Sequence, residues 1–160
     1  MSCPRLSDVR EYWEGDHGAF IDTYVVSTTA SDWQRVLETM QAHAWPSYYY
    51  EDSEPALMPS DVQEIFAHRE RAVCLWQIRP SEEVRINCNF VDTDEIEFSV
   101  DPREIVAQRH LDLICEFISA LGRALGKAVL VGLESRDPRA PAVMRYEPTL
   151  DDVVASSAPW

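Results

Sequence analysis

The stretch VRINCNFVDTDEIEFSV, residues 84–100, decides the fold. Apolar side chains occupy every second position in its first part and again in its last part, a period that is typical of strands with one buried face. Between the two parts lies an acidic segment, Asp92-Thr93-Asp94-Glu95. We therefore predict an antiparallel hairpin with an acidic tip. Its predicted inner face consists of Val84, Ile86, Cys88, Phe90, Ile96, Phe98 and Val100.

Further strands are predicted on both sides of this hairpin, from short runs rich in β-branched and aromatic residues. They are FIDTYVVST at 20–28, VCLWQIR at 73–79, AVLVGLE at 128–134 and AVMRYE at 142–147. Helical segments separate several of these strands. The alternation of the two kinds of element is typical of a mixed fold rather than an all-helical or all-strand one.

Three helices are predicted. The first begins at a capping box of Ser31 and Gln34, and a second, shorter one is opened by Pro59 and Ser60. The third begins at 101–102, where an acidic N-cap precedes a proline, and ends at a glycine C-cap. Their buried stripes are Trp33, Val36, Leu37 and Met40 in the first, Val62, Ile65 and Phe66 in the second, and Ile114, Phe117, Ile118, Leu121 and Leu125 before Gly126 in the third. We predict an α+β fold: a single antiparallel or mixed β-sheet with helices packed on one face.

The composition fits one globular domain over residues 1–160, with 1–18 and 148–160 peripheral, because 46% of the residues are hydrophobic and 26% charged. No apolar run reaches the roughly 18 residues of a membrane span, and the first residues lack the layout of a signal peptide. We therefore expect a cytoplasmic protein that does not engage a membrane. The four cysteines, Cys3, Cys74, Cys88 and Cys115, include no C-x-x-C pair, and we expect free thiols in a reducing compartment.

The charge balance argues against a nucleic-acid ligand. The chain has 14 basic and 28 acidic residues, a formal net charge of -14, whereas phosphates require a basic surface. The acids are not spread evenly, since the segments 51–64 and 92–101 each carry five acids and no base. We call these two segments the acidic fields. Such a concentration of negative charge favours a surface that binds a basic partner.

The segment WPSYYYEDSEPALMPSD, residues 45–61, places three tyrosines beside one of these acidic runs. It shows neither a strand nor a helix period, so we predict a loop bounded by prolines. Tyrosine is enriched at binding hot spots, which favours a recognition surface for a basic protein. The alternative is that alternate tyrosines pack into the core. The candidate partner-binding residues are Trp45, Tyr48, Tyr49, Tyr50, Glu51, Asp52 and Glu54, with Asp92, Asp94, Glu95 and Glu97 from the hairpin.

Catalytic motifs are absent from the sequence. The four histidines, His17, His43, His68 and His110, lie in no known catalytic pattern; His68 and Glu70 form an H-x-E, but the P-C-x-x-C partner of zinc deaminases is missing. We therefore expect no cofactor, no metal and no enzymatic activity. Two alternatives stay open. One is a small metal-dependent hydrolase centred on Asp92, Asp94 and Glu95, with His68 as a further candidate, and the other is a homodimeric regulatory or scaffold domain.

Two C-terminal stretches carry a family resemblance. FISALGRALGKAVLVGLES at 117–135, followed by VMRYEP at 143–148, resembles the C-terminal part of the immunity proteins of bacterial polymorphic and contact-dependent toxin systems. The resemblance implies a cytoplasmic α+β protein that binds a cognate toxin and blocks its active site directly or from the neighbouring surface. It supplies no site residues. An acidic inhibitor would suit a basic toxin that acts on nucleic acid.

Overall fold

The computed structural model describes residues 2–13, 20–133 and 142–155. The helices in these residues are α1 (Leu6–Trp13), α2 (Ala30–Ala42), α3 (Val62–Arg69) and α4 (Gln108–Leu125), with a 3-10 turn at Pro102–Glu104. The strands are β1 (Ile21–Val26), β2 (Ser47–Glu51), β3 (Glu54–Pro55), β4 (Cys74–Ile78), β5 (Ile86–Cys88), β6 (Glu95–Val100), β7 (Val129–Leu133), β8 (Met144–Glu147) and β9 (Asp152–Ala155).

All the strands of the described residues join one antiparallel sheet, in the order β3-β2-β4-β5-β6-β1-β7-β8-β9. β1 lies inside the sheet, where Thr23 pairs with Phe98 of β6 on one side and Val131 of β7 on the other. The hairpin predicted from residues 84–100 is present as β5 and β6, with Ile86 opposite Val100. The α+β fold with a single sheet is confirmed.

One face of the sheet is covered by helices and forms the core. α4 packs on β7 and β8, α3 packs on β4, and α2 contacts both of these helices. The predicted stripes of α2 and α4 are buried, as the helical periodicity required. Trp33 lies at the centre of an aromatic cluster, with its ring 5.5 Å from Phe66 and 5.4 Å from Phe90. Helices on one face are therefore confirmed as well.

The predicted loop at 45–61 is wrong for its first half. Residues 47–51 form β2, which pairs with β4 so that Tyr49 lies opposite Trp76, and residues 54–55 add the short edge strand β3. The alternation of a strand was hidden because consecutive positions carry the same amphipathic residue, tyrosine, on both faces. Asp52 and Ser53 make the tight turn, each with a positive φ.

All three predicted helix starts differ from the structure. α3 is capped by Asp61 rather than Ser60, and the Asp61 carboxylate accepts from the Gln63 amide. α2 is capped by Thr29 and Asp32 rather than Ser31 and Gln34: the Thr29 hydroxyl accepts from the Asp32 amide, and the Asp32 carboxylate accepts from the Thr29 amide. Asp101 caps only the 3-10 turn, and α4 begins six residues later than predicted, at Gln108. A good cap thus fixes a turn locally, but the packing of the chain decides whether a long helix continues from it.

Both ends of the described chain contribute to the core, so the expectation that they are peripheral is wrong for α1 and β9. Leu6, Val9 and Trp13 of α1 are buried, and Val153 of β9 is buried opposite Tyr146. Met1 and the segments 14–18 and 156–160 of the two ends lie outside the described residues, and so does His17. Within the part of the chain that the structure describes, no helix is long and apolar enough to cross a membrane.

The expectation of four free thiols is wrong for two of them. Cys3 and Cys115 form a disulfide, with their Cα atoms 5.9 Å apart, whereas Cys74 and Cys88 are free and buried. Pairing over a separation of 112 residues cannot be deduced from cysteine spacing. The bond fastens the start of the chain to the middle of α4.

Candidate partner-binding surface

The face of the sheet opposite the helices carries a different set of side chains. Strand pairing places these residues in rows across the strands, and most of them are half-buried rather than buried. We call this surface the open face. It is formed by Tyr48 and Tyr50 of β2, Gln77 of β4, Asn87 of β5, Glu95, Glu97 and Ser99 of β6, Asp22, Tyr24 and Val26 of β1, and Arg145 and Glu147 of β8.

Four of the predicted site residues lie together on the open face: Tyr48 and Tyr50 from β2, and Glu95 and Glu97 from β6. β4 and β5 separate the two strands, so the tyrosine pair and the acidic pair are about 14 Å apart at ordinary strand spacing. The acidic field at 92–101 therefore lies on the same surface as the tyrosine pair of β2. Tyr48 is 45% exposed, which is unusual for a large aromatic side chain within a sheet.

Three of the predicted site residues point to the helix side instead. Tyr49 is buried, with only 6% of its surface exposed. This agrees with the alternative interpretation, in which alternate tyrosines pack into the core. Glu51 is on the same side as Tyr49 because it follows two positions later in β2. Trp45 stacks on His43, with ring centres 3.6 Å apart, and also contacts Phe117. These three residues therefore pack on the helix side of the sheet, beneath the open face.

The remaining predicted residues lie in two turns. Asp52 lies in the β2–β3 turn and Glu54 follows it, and a carboxylate oxygen of Asp52 accepts from the amide of Val73. Asp92 and Asp94 are exposed in the loop before β6. Both turns lie at the ends of strands that carry the open face, so their carboxylates border it.

The acidic loop is held rigidly through its backbone. The indole Nε1 of Trp33 donates to the carbonyl of Asp92 (2.9 Å), and the Thr28 amide donates to the carbonyl of Asp94 (3.1 Å). These contacts leave the carboxylates outside. Partial burial, and then the neighbouring carboxylates of Asp94 and Asp92, raise the pKa of Glu95. The carboxylates of Asp92 and Asp94 therefore disfavour the charged form of Glu95, and a cationic partner would offset this repulsion.

The metal-site alternative finds no geometric support in this loop. Across residues 2–13, 20–133 and 142–155, no group of three or more histidine, cysteine, aspartate or glutamate side chains is arranged to hold a metal ion. Asp92, Asp94 and Glu95 are all included in those ranges. His68, the further candidate, lies elsewhere, in α3 beside β2.

His68 instead takes part in a cluster that the sequence did not predict. Its Nδ1 lies 2.6 Å from Oε1 of Glu51, and the same oxygen accepts from the Tyr49 hydroxyl at 2.9 Å. The hydrogen bond from His68, followed by that from Tyr49, lowers the pKa of Glu51. Burial raises the pKa of Tyr49. The cluster joins α3 to β2 and so fixes the strand that carries Tyr48 and Tyr50.

We expect His68→Ala to raise the pKa of Glu51 toward that of an ordinary glutamate. The carboxyl has a lower pKa in the folded chain than in the unfolded one, so its contribution to stability is present above the unfolded pKa and is lost as pH falls through the folded pKa. An NMR titration of the side-chain carboxyl measures the shift. Asp101, whose pKa is lowered by Arg103, serves as the control and should not respond. An unchanged Glu51 titration would contradict the role of His68.

A row of polar contacts crosses the open face from one strand to the next. Gln77 donates from Nε2 to Oδ1 of Asn87 (2.9 Å), and Asn87 pairs in register with Ser99. The Ser99 hydroxyl then donates to Oδ1 of Asp22 (3.1 Å). The open face is thus pre-organised across four neighbouring strands, because Gln77 is held by Asn87 and Ser99 by Asp22.

No family model, curated protein or solved structure matches this chain. The surface is therefore interpreted from its own chemistry. It offers tyrosine rings, carboxylates and a rigid backbone, which suit the recognition of a protein, whereas the described residues bring together no metal-ligand set.

Proposed function

We propose that this protein is an immunity protein that binds a cognate bacterial toxin through the open face and neutralises it. The observation that carries the proposal is the placement of Tyr48, Tyr50, Glu95 and Glu97 on one face of a single sheet whose other face is the core. Aromatic anchors and acidic groups on a rigid support are the properties of a protein-binding surface.

Rigidity supports tight binding because little conformational entropy is lost when the complex forms. Tyr48 and Tyr50 belong to a strand that pairs with β3 on one side and β4 on the other. The contact between Glu51 and His68 fixes that strand on the helix side of the sheet. The tyrosine rings are thus presented in fixed positions before any partner arrives.

The charge of the chain favours a basic partner. A formal net charge of -14 attracts a cationic surface over distances near the Debye length and raises the association rate. A toxin that acts on nucleic acid has such a surface, and the resemblance of residues 117–135 and 143–148 to immunity proteins is the reason for naming a toxin as the partner. The proposal also places the protein in the cytoplasm. A disulfide such as Cys3–Cys115 is more usual in oxidising compartments, so a cytoplasmic location implies that these two thiols are reduced in cells.

The test uses the protein encoded beside this chain as the candidate toxin, with binding measured by surface plasmon resonance and protection by growth of a bacterial host that expresses the candidate. We expect Tyr48→Ala combined with Tyr50→Ala to weaken binding by about 30-fold or more, since even one buried tyrosine anchor at a hot spot contributes about 2 kcal/mol or more. Growth protection should be lost in parallel.

Glu95→Gln combined with Glu97→Gln should act differently, by slowing association about tenfold at low salt and much less at high salt. The matched control is Glu64→Gln combined with Glu70→Gln, which removes two exposed carboxylates from the region of α3 and should change neither rate. If both open-face pairs behave like the control while the candidate still binds, the surface assignment is wrong. If no candidate binds and none is neutralised, the function is wrong.

A further inference from the structure

A pocket of about 480 Å³ opens at one end of the open face, where β2 begins and β4 ends. It is lined by Pro46, Tyr48, Arg79, Pro80, Ser81 and Glu82. The two prolines and the tyrosine ring supply apolar walls with little conformational freedom. The pocket therefore combines a rigid apolar lining with a single cation, Arg79.

Arg79 is held in place by two contacts. Its Nε donates to Oε1 of Gln77 (2.8 Å), and its guanidinium lies over the Tyr48 ring, 5.1 Å from the ring centre. Gln77 is only 8% exposed, and its own amide is fixed by the bond to Asn87. A buried polar side chain therefore sets the position of the guanidinium and uses only one edge of it.

The other edge of the guanidinium is unused. In the part of the chain that the structure describes, no hydrogen bond or ion pair joins the two terminal amino groups of Arg79 to another residue. Six other arginine or lysine side chains of the described chain, Arg85, Arg103, Arg109, Arg123, Lys127 and Arg145, form ion pairs with carboxylates. A positioned arginine that keeps no carboxylate partner in a chain of net charge -14 is available to an anion from outside.

We propose that this pocket binds a carboxylate carried on an apolar or aromatic group. Two parallel N–H groups on one edge of a guanidinium match the two oxygens of a carboxylate, and the apolar walls would contact the group that carries it. A phosphate dianion fits less well, because Glu82 lies at the same pocket and, among the described residues, no second cation lines it. This site takes a ligand of the opposite charge to the partner inferred above and does not rest on that proposal.

The test is a titration of the intact chain with sodium benzoate at constant ionic strength, followed by NMR at the Arg79 Nε–H and the Tyr48 ring. Benzamide, which has the same shape and no charge, is the matched ligand. We expect saturable shifts with benzoate and about tenfold weaker binding of benzamide. Arg79→Gln should weaken benzoate binding about tenfold or more, whereas Arg69→Gln, which removes an exposed arginine of α3, should leave it unchanged.

Arg79→Lys keeps the charge and loses the paired N–H groups, so it should weaken benzoate binding while leaving the thermal unfolding midpoint near that of the wild type. Three results would overturn the proposal: shifts that never saturate in the wild type, equal affinity for benzamide and benzoate, or unchanged benzoate binding in folded Arg79→Gln. The Tyr48 resonances distinguish this pocket from binding elsewhere, because they should move together with those of Arg79.

Discussion

Reduction of the Cys3–Cys115 disulfide lowers the free energy of unfolding by about 3–4 kcal/mol. The bond closes a loop over a separation of 112 residues, and the loss of loop-closure entropy in the unfolded chain gives about 4.7 kcal/mol for a loop of about 100 residues. Measured effects of native disulfides are usually smaller, about 2–4 kcal/mol. Urea unfolding with and without dithiothreitol measures the difference.

Cys3→Ser is the matching variant, because Cys3 is only partly buried and a serine hydroxyl there can reach water. It should lose as much stability as the reduced wild type and show no further response to the reductant. The folded structure should persist in both cases. Gln108 still holds the start of the chain, since its Oε1 accepts from the Leu6 amide (2.6 Å) and its Nε2 donates to the carbonyl of Pro4 (3.1 Å). Equal unfolding midpoints of the wild type in both conditions would contradict the bond.

Gly122→Ala destabilises the fold by about 2–3 kcal/mol, even though alanine is the better helix former by about 1 kcal/mol. Gly122 lies in α4 against the ring of Tyr146 in β8, and a Cβ added there would come within 2.9 Å of the ring Cγ and closer still to Cδ1 and Cε1. The ring cannot move away easily. It is buried, and its hydroxyl donates to Oδ1 of Asp151 at 2.7 Å.

The comparison with Gly126 isolates the steric effect. Gly126 ends the same helix with a φ of 63°, and no atom lies within 4 Å of the position of an added Cβ. Gly126→Asn should therefore cost only a few tenths of a kcal/mol, because asparagine tolerates a left-handed C-cap. Chemical denaturation of both variants gives the two values. A Gly122→Ala protein as stable as the wild type would show that α4 can move away from β8.

Most of the fold could be predicted because the relevant signals are local. Alternation over residues 96–100 and the helical stripe from Trp33 to Met40 each follow from one period, and both are buried as predicted. The C-cap at Gly126 is also as predicted, with its left-handed conformation. Local signals of this kind predict the structure well because the apolar face that the period defines is the face that packs into the core.

The features that the sequence did not reveal depend on distant partners. Three identical tyrosines carry no polarity alternation, so β2 becomes recognisable only through its pairing with β4. The Cys3–Cys115 bond and the Glu51–His68 contact likewise join residues from separate elements. The Arg79 pocket requires Gln77 and Tyr48 on adjacent strands, and no motif marks such a pairing. Only the register of the sheet brings these groups together.

The position of β1 inside the sheet has a consequence for biosynthesis. β1 leaves the ribosome before both of its neighbours, which are β6, ending at residue 100, and β7, ending at residue 133. At about 5–20 residues per second, the strand waits on the order of 5–20 s before both neighbours have been made. Pairings so distant in sequence also form slowly. A nascent chain therefore leaves one edge of this apolar strand without its partner until residue 133 has been translated.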